Sequence, residues 1–221
     1  MKILVLGLGY VGTANAVLLS QQNEVICYDI NANRINQIND KKSPIDDIQA
    51  SEFLSQKNLN LKAVAEFPVH NNFDFVIIAT PTNYDPDTNN FDTSTVESCI
   101  EQLNSQNSKA TIIIRSTLPV GFVGRVQKKY PIQEIVYIPE FLREGKALHD
   151  SLHPSRIVVG SHSDQAKKFS QLLVDGAINK EIEVLYTKST EAESSKLFAN
   201  AFLAMRATFF NELDSFAMAR N

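Results

Sequence analysis

The sequence predicts an α/β fold: a doubly wound, mostly parallel sheet followed by a long C-terminal helix. Three observations predict it. Short apolar runs recur along the 221 residues with helical periodicity between them, the order expected of βαβ units. Runs such as Phe75-Val76-Ile77-Ile78-Ala79 and Ile112-Ile113-Ile114 are continuous rather than alternating, as strands covered on both faces must be. The first 29 residues carry a strand, a glycine turn, a helix and a second strand that stops at an acid.

That opening unit is the most specific part of the chain. A strand over 2–7 leads into Gly7-Leu8-Gly9-Tyr10-Val11-Gly12, and a helix follows over 10–22. Gly7 permits the tight turn, Gly9 lets a pyrophosphate approach the backbone, and Gly12 lets the helix pack closely. The helix N-terminus, from Gly9 through Tyr10 and Val11, then offers free N–H groups and a positive dipole end to phosphates. The next strand, 24–28, ends at Asp29, about 20 residues on, where a carboxylate accepts hydrogen bonds from a ribose diol. Asp29 favours NAD over NADP, because it repels a 2′-phosphate. Arg34 tempers that preference: it either reaches the adenosine ribose or is a plain surface residue. The bland alternative for the whole unit is a structural turn with Asp29 as a solvated strand end.

Further candidate helices span 31–39, 48–56, 94–105, 120–130 and 163–175, and further strands 59–64, 73–79, 110–116, 134–138, 155–160 and 182–187. The polar segment Pro81–Asp92 follows a central strand and is a candidate lid or binding loop, and 139–154 is a second irregular stretch. Three strand ends carry polar clusters: Thr80-Pro81-Thr82, Ser116-Thr117-Leu118-Pro119-Val120-Gly121, and Pro139-Glu140-Phe141-Leu142-Arg143-Glu144-Gly145. Each alone is compatible with turn chemistry. All follow parallel strands, so all should converge on the edge that carries Gly9.

The last helix, 190–219, has no Gly or Pro, and Leu197, Phe198, Phe202, Leu203, Met205, Phe209, Phe210, Leu213 and Phe216 surround most of it. Such a helix needs cover on nearly all sides. Another chain, a following domain, or a groove in its own domain would each supply it. Lys196 and Asn200 are four apart and share a face. Either they meet polar partners or a ligand, or Lys196 pairs with Glu191 or Glu193 at the surface.

Composition narrows the function classes. With 43% hydrophobic residues the chain can bury a sizeable core. The net charge of −4 and the lack of a basic run argue against a nucleic-acid partner, and no apolar stretch reaches membrane-spanning length. The N-terminus reads as a strand rather than a secretory leader. Cys27 and Cys99 are expected to be small buried hydrophobes in a reducing cytoplasm. His149 and His153 have i, i+4 spacing, but Pro154 follows and no third ligand is evident, so no metal site is expected.

The glycine motif, together with Ala79-Thr80-Pro81-Thr82-Asn83-Tyr84-Asp85-Pro86, Ser116–Gly121, Pro139–Gly145 and Lys196-Leu197-Phe198-Ala199-Asn200, resembles the UDP-glucose 6-dehydrogenases within the wider UDP-sugar and GDP-mannose dehydrogenase family. The resemblance runs from Met1 to Asn221. The Pro139–Gly145 string and the Lys-x-x-x-Asn helix are specific to this family, and the glycine motif is not. The resemblance implies a Rossmann-like NAD-binding domain over 1–188, the start of a central, dimer-forming helix over 189–221, and two successive hydride transfers from C6 of UDP-glucose to NAD, yielding UDP-glucuronate.

By motif, Gly7–Gly12 would hold the pyrophosphate and Asp29 and Arg34 the adenosine ribose, while Thr82, Thr117 and Glu144 would contact the cofactor. Glu140, Phe141, Leu142, Arg143 and Glu144 would line the substrate site, with Lys196 and Asn200. Thr117 would orient a water, Glu140 would act as base in the hydrolytic step, and Lys196 and Asn200 would stabilise the developing oxyanion. The family's nucleophilic cysteine lies in a Gly-rich segment beyond the central helix, and neither Cys27 nor Cys99 matches it. The expectation is a fragment, as a homodimer through 191–219, that binds NAD without turning over. The alternatives are a dehydrogenase of another nucleotide sugar (UDP-N-acetylhexosamine or GDP-mannose) and a non-catalytic nucleotide-binding module. The Pro139–Gly145 string disfavours the 6-phosphogluconate and hydroxyacyl dehydrogenases.

Overall fold

The computed structural model describes residues 1–68, 72–87, 89–130 and 134–220. In chain order the elements are β1 (Lys2–Leu6), α1 (Tyr10–Ser20), β2 (Glu24–Tyr28), α2 (Ala32–Asn39), α3 (Ile48–Gln56), β3 (Leu61–Val64), β4 (Phe75–Ile78), β5 (Tyr84–Asp85) and β6 (Asn90–Phe91). Then come α4 (Ser94–Ser105), β7 (Thr111–Ile114), α5 (Phe122–Lys129), β8 (Ile135–Tyr137), α6 (Ala147–Leu152), β9 (Arg156–Val159), α7 (Asp164–Gly176), β10 (Glu183–Tyr186) and α8 (Ser189–Met218).

Six strands form one parallel sheet in the order β3-β2-β1-β4-β7-β8. The order reverses between β1 and β4, which opens a crevice at the carboxyl edge beside the glycine turn. Alternate residues of each strand feed two cores, one on either face. Ile3, Val5, Phe75 and Ile77 point to the side packed by α1 and α7, and Leu4, Leu6, Val76 and Ile78 to the side packed by α4 and α5. Burial on both faces is what the continuous apolar runs encode. β9 and β10 form a separate parallel pair, tied to the main sheet where Gly160 N–H donates to the Tyr137 carbonyl at 2.8 Å.

The predicted strands and helices all appear, mostly trimmed by a residue or two. Three sequence expectations need correction. The stretch 139–154 is not wholly irregular, because α6 lies within it. Its start is set from a distance: Asp47, 3% exposed, caps α3 through Oδ1 to Ala50 N–H (3.0 Å) and accepts Leu148 N–H on Oδ2 (2.9 Å). The 81–92 loop closes on itself as a small antiparallel hairpin, β5 with β6, with the Tyr84 and Phe91 rings edge to face at 5.4 Å. Cys99 is half-buried rather than buried, while Cys27 is fully buried as expected; burial pushes both thiols up, Cys99 to about 11.

α8 settles which way its apolar surface faces. Only its first turns, through Ala192, Glu193 and Lys196, are buried. From Phe198 (74% exposed) to Met218 the helix stands clear of the domain, so it does not lie in a groove of its own domain. Among the described residues no helix is long and apolar enough to cross a membrane.

Candidate active site

The glycine turn is built almost wholly from backbone. Gly7 has φ +98°, and a Cβ there would meet the Ala79 carbonyl oxygen at 2.6 Å. A Cβ on Gly12 would meet the Gly7 carbonyl oxygen at 1.8 Å, so α1 rests directly on the turn. Gly9 is different: nothing lies within 4 Å of the position its Cβ would take. It faces open space, as a backbone that a ligand approaches must. The eleven-residue α1 begins with no side-chain cap and no acid in its first turn. The N–H groups at Tyr10 and Val11, both half-buried, lack that usual partner, and a diphosphate supplies one.

Asp29 is 5% exposed and holds this turn in shape. Its Oδ2 accepts Leu8 N–H at 2.6 Å and its Oδ1 accepts Asn31 N–H at 2.8 Å. The Arg34 guanidinium, partly exposed, stands 3.6 Å from Oδ2. Asp29 is therefore not a solvated strand end, and Arg34 is not an unattached surface residue. Each carboxylate oxygen keeps a lone pair, so the pair can also receive a ribose diol. These residues fit a dinucleotide without a 2′-phosphate.

The other three clusters reach the same edge. Ser116 Oγ donates to the Thr80 carbonyl at 2.6 Å, stitching the ends of β7 and β4 together. Thr95 Oγ1 binds Thr80 Oγ1 at 3.1 Å and the Pro81 carbonyl at 2.8 Å. Thr82 and Thr117 are half-buried beside these stitches. Beyond β8, Glu140 Oε2 accepts Leu142 N–H at 2.8 Å, which shapes the string into a tight turn. Its Oε1 meets Lys196 Nζ at 2.8 Å, with both side chains about nine-tenths buried. Lys196 also stands 5.6 Å from the Phe141 ring centroid. It pairs with neither Glu191 nor Glu193; the pairing crosses from α8 to a different strand end.

Other expected site residues fall less centrally. Arg143 is exposed and forked onto Asp150, at 3.0 Å from Nε and 2.6 Å from Nη2. Glu144 is exposed, next to Gly145 with φ +77°. Asn200 is exposed on α8, one turn beyond Lys196, and makes no side-chain hydrogen bond among the described residues. His149 lies on α6 and His153 just past its end, rings 4.8 Å apart, and no group of three metal-ligating side chains occurs among the described residues.

One functional contact escaped the sequence reading. Glu193, fully buried on α8, accepts Gly121 N–H at 2.5 Å and Val123 N–H at 2.8 Å, capping α5 from another helix. Gly121 has φ +89°, and α5 has no cap of its own. Burial raises the Glu193 carboxyl, opposed by those two hydrogen bonds. Glu193 holds the segment that carries Thr117, and Lys196 holds Glu140, so the root of α8 fixes two of the three clusters. The signal was present as an acid inside an apolar helix, but its partner lies about 70 residues away.

A parallel sheet whose order reverses, a glycine turn feeding an uncapped helix, and an acid fixed at the tip of the second strand define a dinucleotide-binding domain. The chain belongs to the UDP-glucose/GDP-mannose dehydrogenase family, with residues 1–187 matching its NAD binding domain. It is 45% identical over 224 residues to the UDP-glucose 6-dehydrogenase of Campylobacter jejuni, covering 100% of this chain and 57% of that enzyme. It is also 45% identical to the UDP-glucose 6-dehydrogenase of Streptococcus pneumoniae, covering 98% of this chain and 57% of that one. The structure of a UDP-glucose dehydrogenase from Pyrobaculum islandicum superposes with a TM-score of 0.79 at 27% identity, over 96% of this chain and 52% of the other. The chain thus spans somewhat more than half the length of these relatives.

Proposed function

We propose that the chain supplies the NAD-binding half of an enzyme that oxidises UDP-glucose at C6 to UDP-glucuronate, and that residues 1–188 form the cofactor domain and 189–221 the start of a dimer-forming helix. The observation that carries this reading is the Lys196–Glu140 pair. It joins α8 to the Pro139–Gly145 string on the edge that also carries the glycine turn.

This reading gives each residue a task. Gly7, Gly9, Tyr10, Val11 and Gly12 offer backbone to the pyrophosphate, and Asp29 with Arg34 receives the ribose. Thr82, Thr117 and Glu144 border the cofactor. When bound, NAD accepts the hydride. The turn from Glu140 through Phe141 and Leu142 to Arg143 borders the sugar nucleotide. Lys196 is a fixed cation in a water-poor place, the arrangement that stabilises charge as it develops, and Asn200 adds an amide donor one turn along. In this reading Glu140, held between Lys196 and Leu142 N–H, takes a proton from a water that Thr117 orients. The buried or half-buried thiols Cys27 and Cys99 suit a reducing cytoplasm.

Calorimetric titration of the 221-residue chain tests the reading. NAD should bind, NADP should bind at least tenfold more weakly, and UDP-glucose should not bind measurably. Equal affinity for NADP would remove the role given to Asp29, and tight UDP-glucose binding would show that this half already holds the sugar site. Sedimentation should reveal a concentration-dependent dimer; a monomer at all concentrations would refute the pairing through 191–219.

A further inference from the structure

A cavity of about 260 Å³ lies behind the Pro139–Gly145 string. Its walls come from α1, the end of β7, the string itself and residues 150–157. None of Gly7–Gly12, Asp29, Thr82 or Thr117 lines it.

Arg115 is the unusual wall. It is 8% exposed, makes no ion pair or side-chain hydrogen bond among the described residues, and its Nε is buried without an acceptor. Burial lowers its pKa to about 10, with Glu140 and Tyr137 acting the other way, so the guanidinium keeps its charge at neutral pH. An unpaired buried cation is costly, and proteins ordinarily pair it. Neither of the two carboxylates that share the cavity forms an ion pair with it, although Glu140 is near enough to favour its charge. Glu140 is taken by Lys196 and Leu142 N–H, and Asp150 by the fork of Arg143. Arg156, another lining residue, stacks over Phe141 at 5.1 Å and has no ion pair among the described residues. Asn15, 1% exposed, uses its Nδ2 on the Val11 carbonyl at 2.7 Å and leaves Oδ1 buried without a donor.

The uncommitted groups thus include two guanidinium ions on different elements. We propose that this cavity binds a small tetrahedral oxyanion, a phosphate or phosphomonoester, anchored on Arg115 and closed over by Arg156. A tetrahedral anion offers acceptors in several directions, which two guanidinium groups on different elements require, whereas a carboxylate offers them in one plane. The site is separate from the pyrophosphate cradle, and it shares one wall, Glu140–Arg143, with the turn assigned above to the sugar nucleotide, so to that extent it rests on that reading.

The test is a thermal-unfolding titration of the full chain with inorganic phosphate, ionic strength held constant with chloride. The midpoint should rise saturably. Arg115→Met should weaken the apparent phosphate affinity at least tenfold while being no less stable than the parent in phosphate-free buffer, because it removes a cation that nothing pairs. Arg156→Gln, at the exposed wall, should fold normally and bind severalfold more weakly. Repeating the titration with glycerol 3-phosphate separates free phosphate from an ester as the preferred source, and saturable binding of either supports the site. The proposal is overturned if phosphate acts no better than chloride, if Arg115→Met responds like the parent, or if NAD displaces the phosphate, since the anion would then sit in the dinucleotide cradle.

Discussion

The two ends of the candidate site are built on different principles. At β1 and β2, geometry is set by the backbone: Gly7, Gly9 and Gly12 make the turn, and one carboxylate, Asp29, pins it through Leu8 N–H. At β7 and β8, geometry is set by side chains that arrive from α8: Glu193 on the α5 N-terminus and Lys196 on Glu140. The first end is held by contacts within the first 29 residues and against the Ala79 backbone. The second is only as well placed as the root of α8. A cofactor cradle that must hold one shape can be made of backbone, whereas a reacting edge that needs charge must import it, and here it imports both charges on a single helix.

The largest expected effect lies at the backbone end. Gly12→Ala forces a Cβ onto the Gly7 carbonyl, and we expect a loss of about 3 kcal/mol or more, read as a fall in the urea midpoint. Gly9→Ala sharpens the point. With open space around it, the fold should keep its stability within about 0.5 kcal/mol, while NAD affinity measured by calorimetry drops at least tenfold. If both variants lose stability equally, the division between a packed and an open glycine fails.

At the side-chain end, Glu193→Ala leaves two N–H groups without their acceptor and should cost about 2–3 kcal/mol. Its pH dependence has a definite sign. Because burial raises the folded carboxyl above its unfolded value, the folded chain holds the extra proton, so this group's contribution is greatest at low pH and is lost as pH rises through the folded value. Glu193→Gln should flatten that slope in denaturation curves measured from pH 4 to 7. Lys196→Met strands the Glu140 charge and should cost about 3 kcal/mol. The Lys196→Met, Glu140→Gln double variant should recover part of that loss in a double-mutant cycle, and strict additivity would mean the pair is not coupled.

The smallest effect belongs to Arg143 and Asp150. The fork with Arg143 lowers the Asp150 carboxyl below its usual 3.8. Its contribution is present above that pH and lost as pH falls toward the lowered value. With Arg143 exposed, it should amount to less than about 1 kcal/mol. An Asp150→Asn chain whose acid limb matches the parent's would show that the fork contributes nothing.

The same division explains what could be read from the sequence. Gly7, Gly9 and Gly12 announce themselves because a glycine's reason for being there is local, and Asp29 follows at a fixed interval. The buried strands announce themselves through unbroken apolar runs. Glu193 and Asp47 do not, because each caps a helix to which it is not adjacent, across sequence separations of 70 and 101 residues. Lys196 was recognisable as out of place in an apolar helix, yet its partner could only be found once β8 and α8 had been brought together. Arg115 reads as an ordinary strand-end residue until the neighbouring carboxylates are seen to be spoken for.

α8 has a mechanical consequence. Thirty residues at 1.5 Å each make a rod about 45 Å long, anchored only over its first two turns, where Glu193 and Lys196 grip the Thr117 and Glu140 segments. That is a lever with a short arm in the site and a long arm in solvent. By that geometry a displacement of several ångströms at Phe216 becomes a fraction of that at Lys196, so movement of the far end reaches the Glu140 segment reduced rather than amplified.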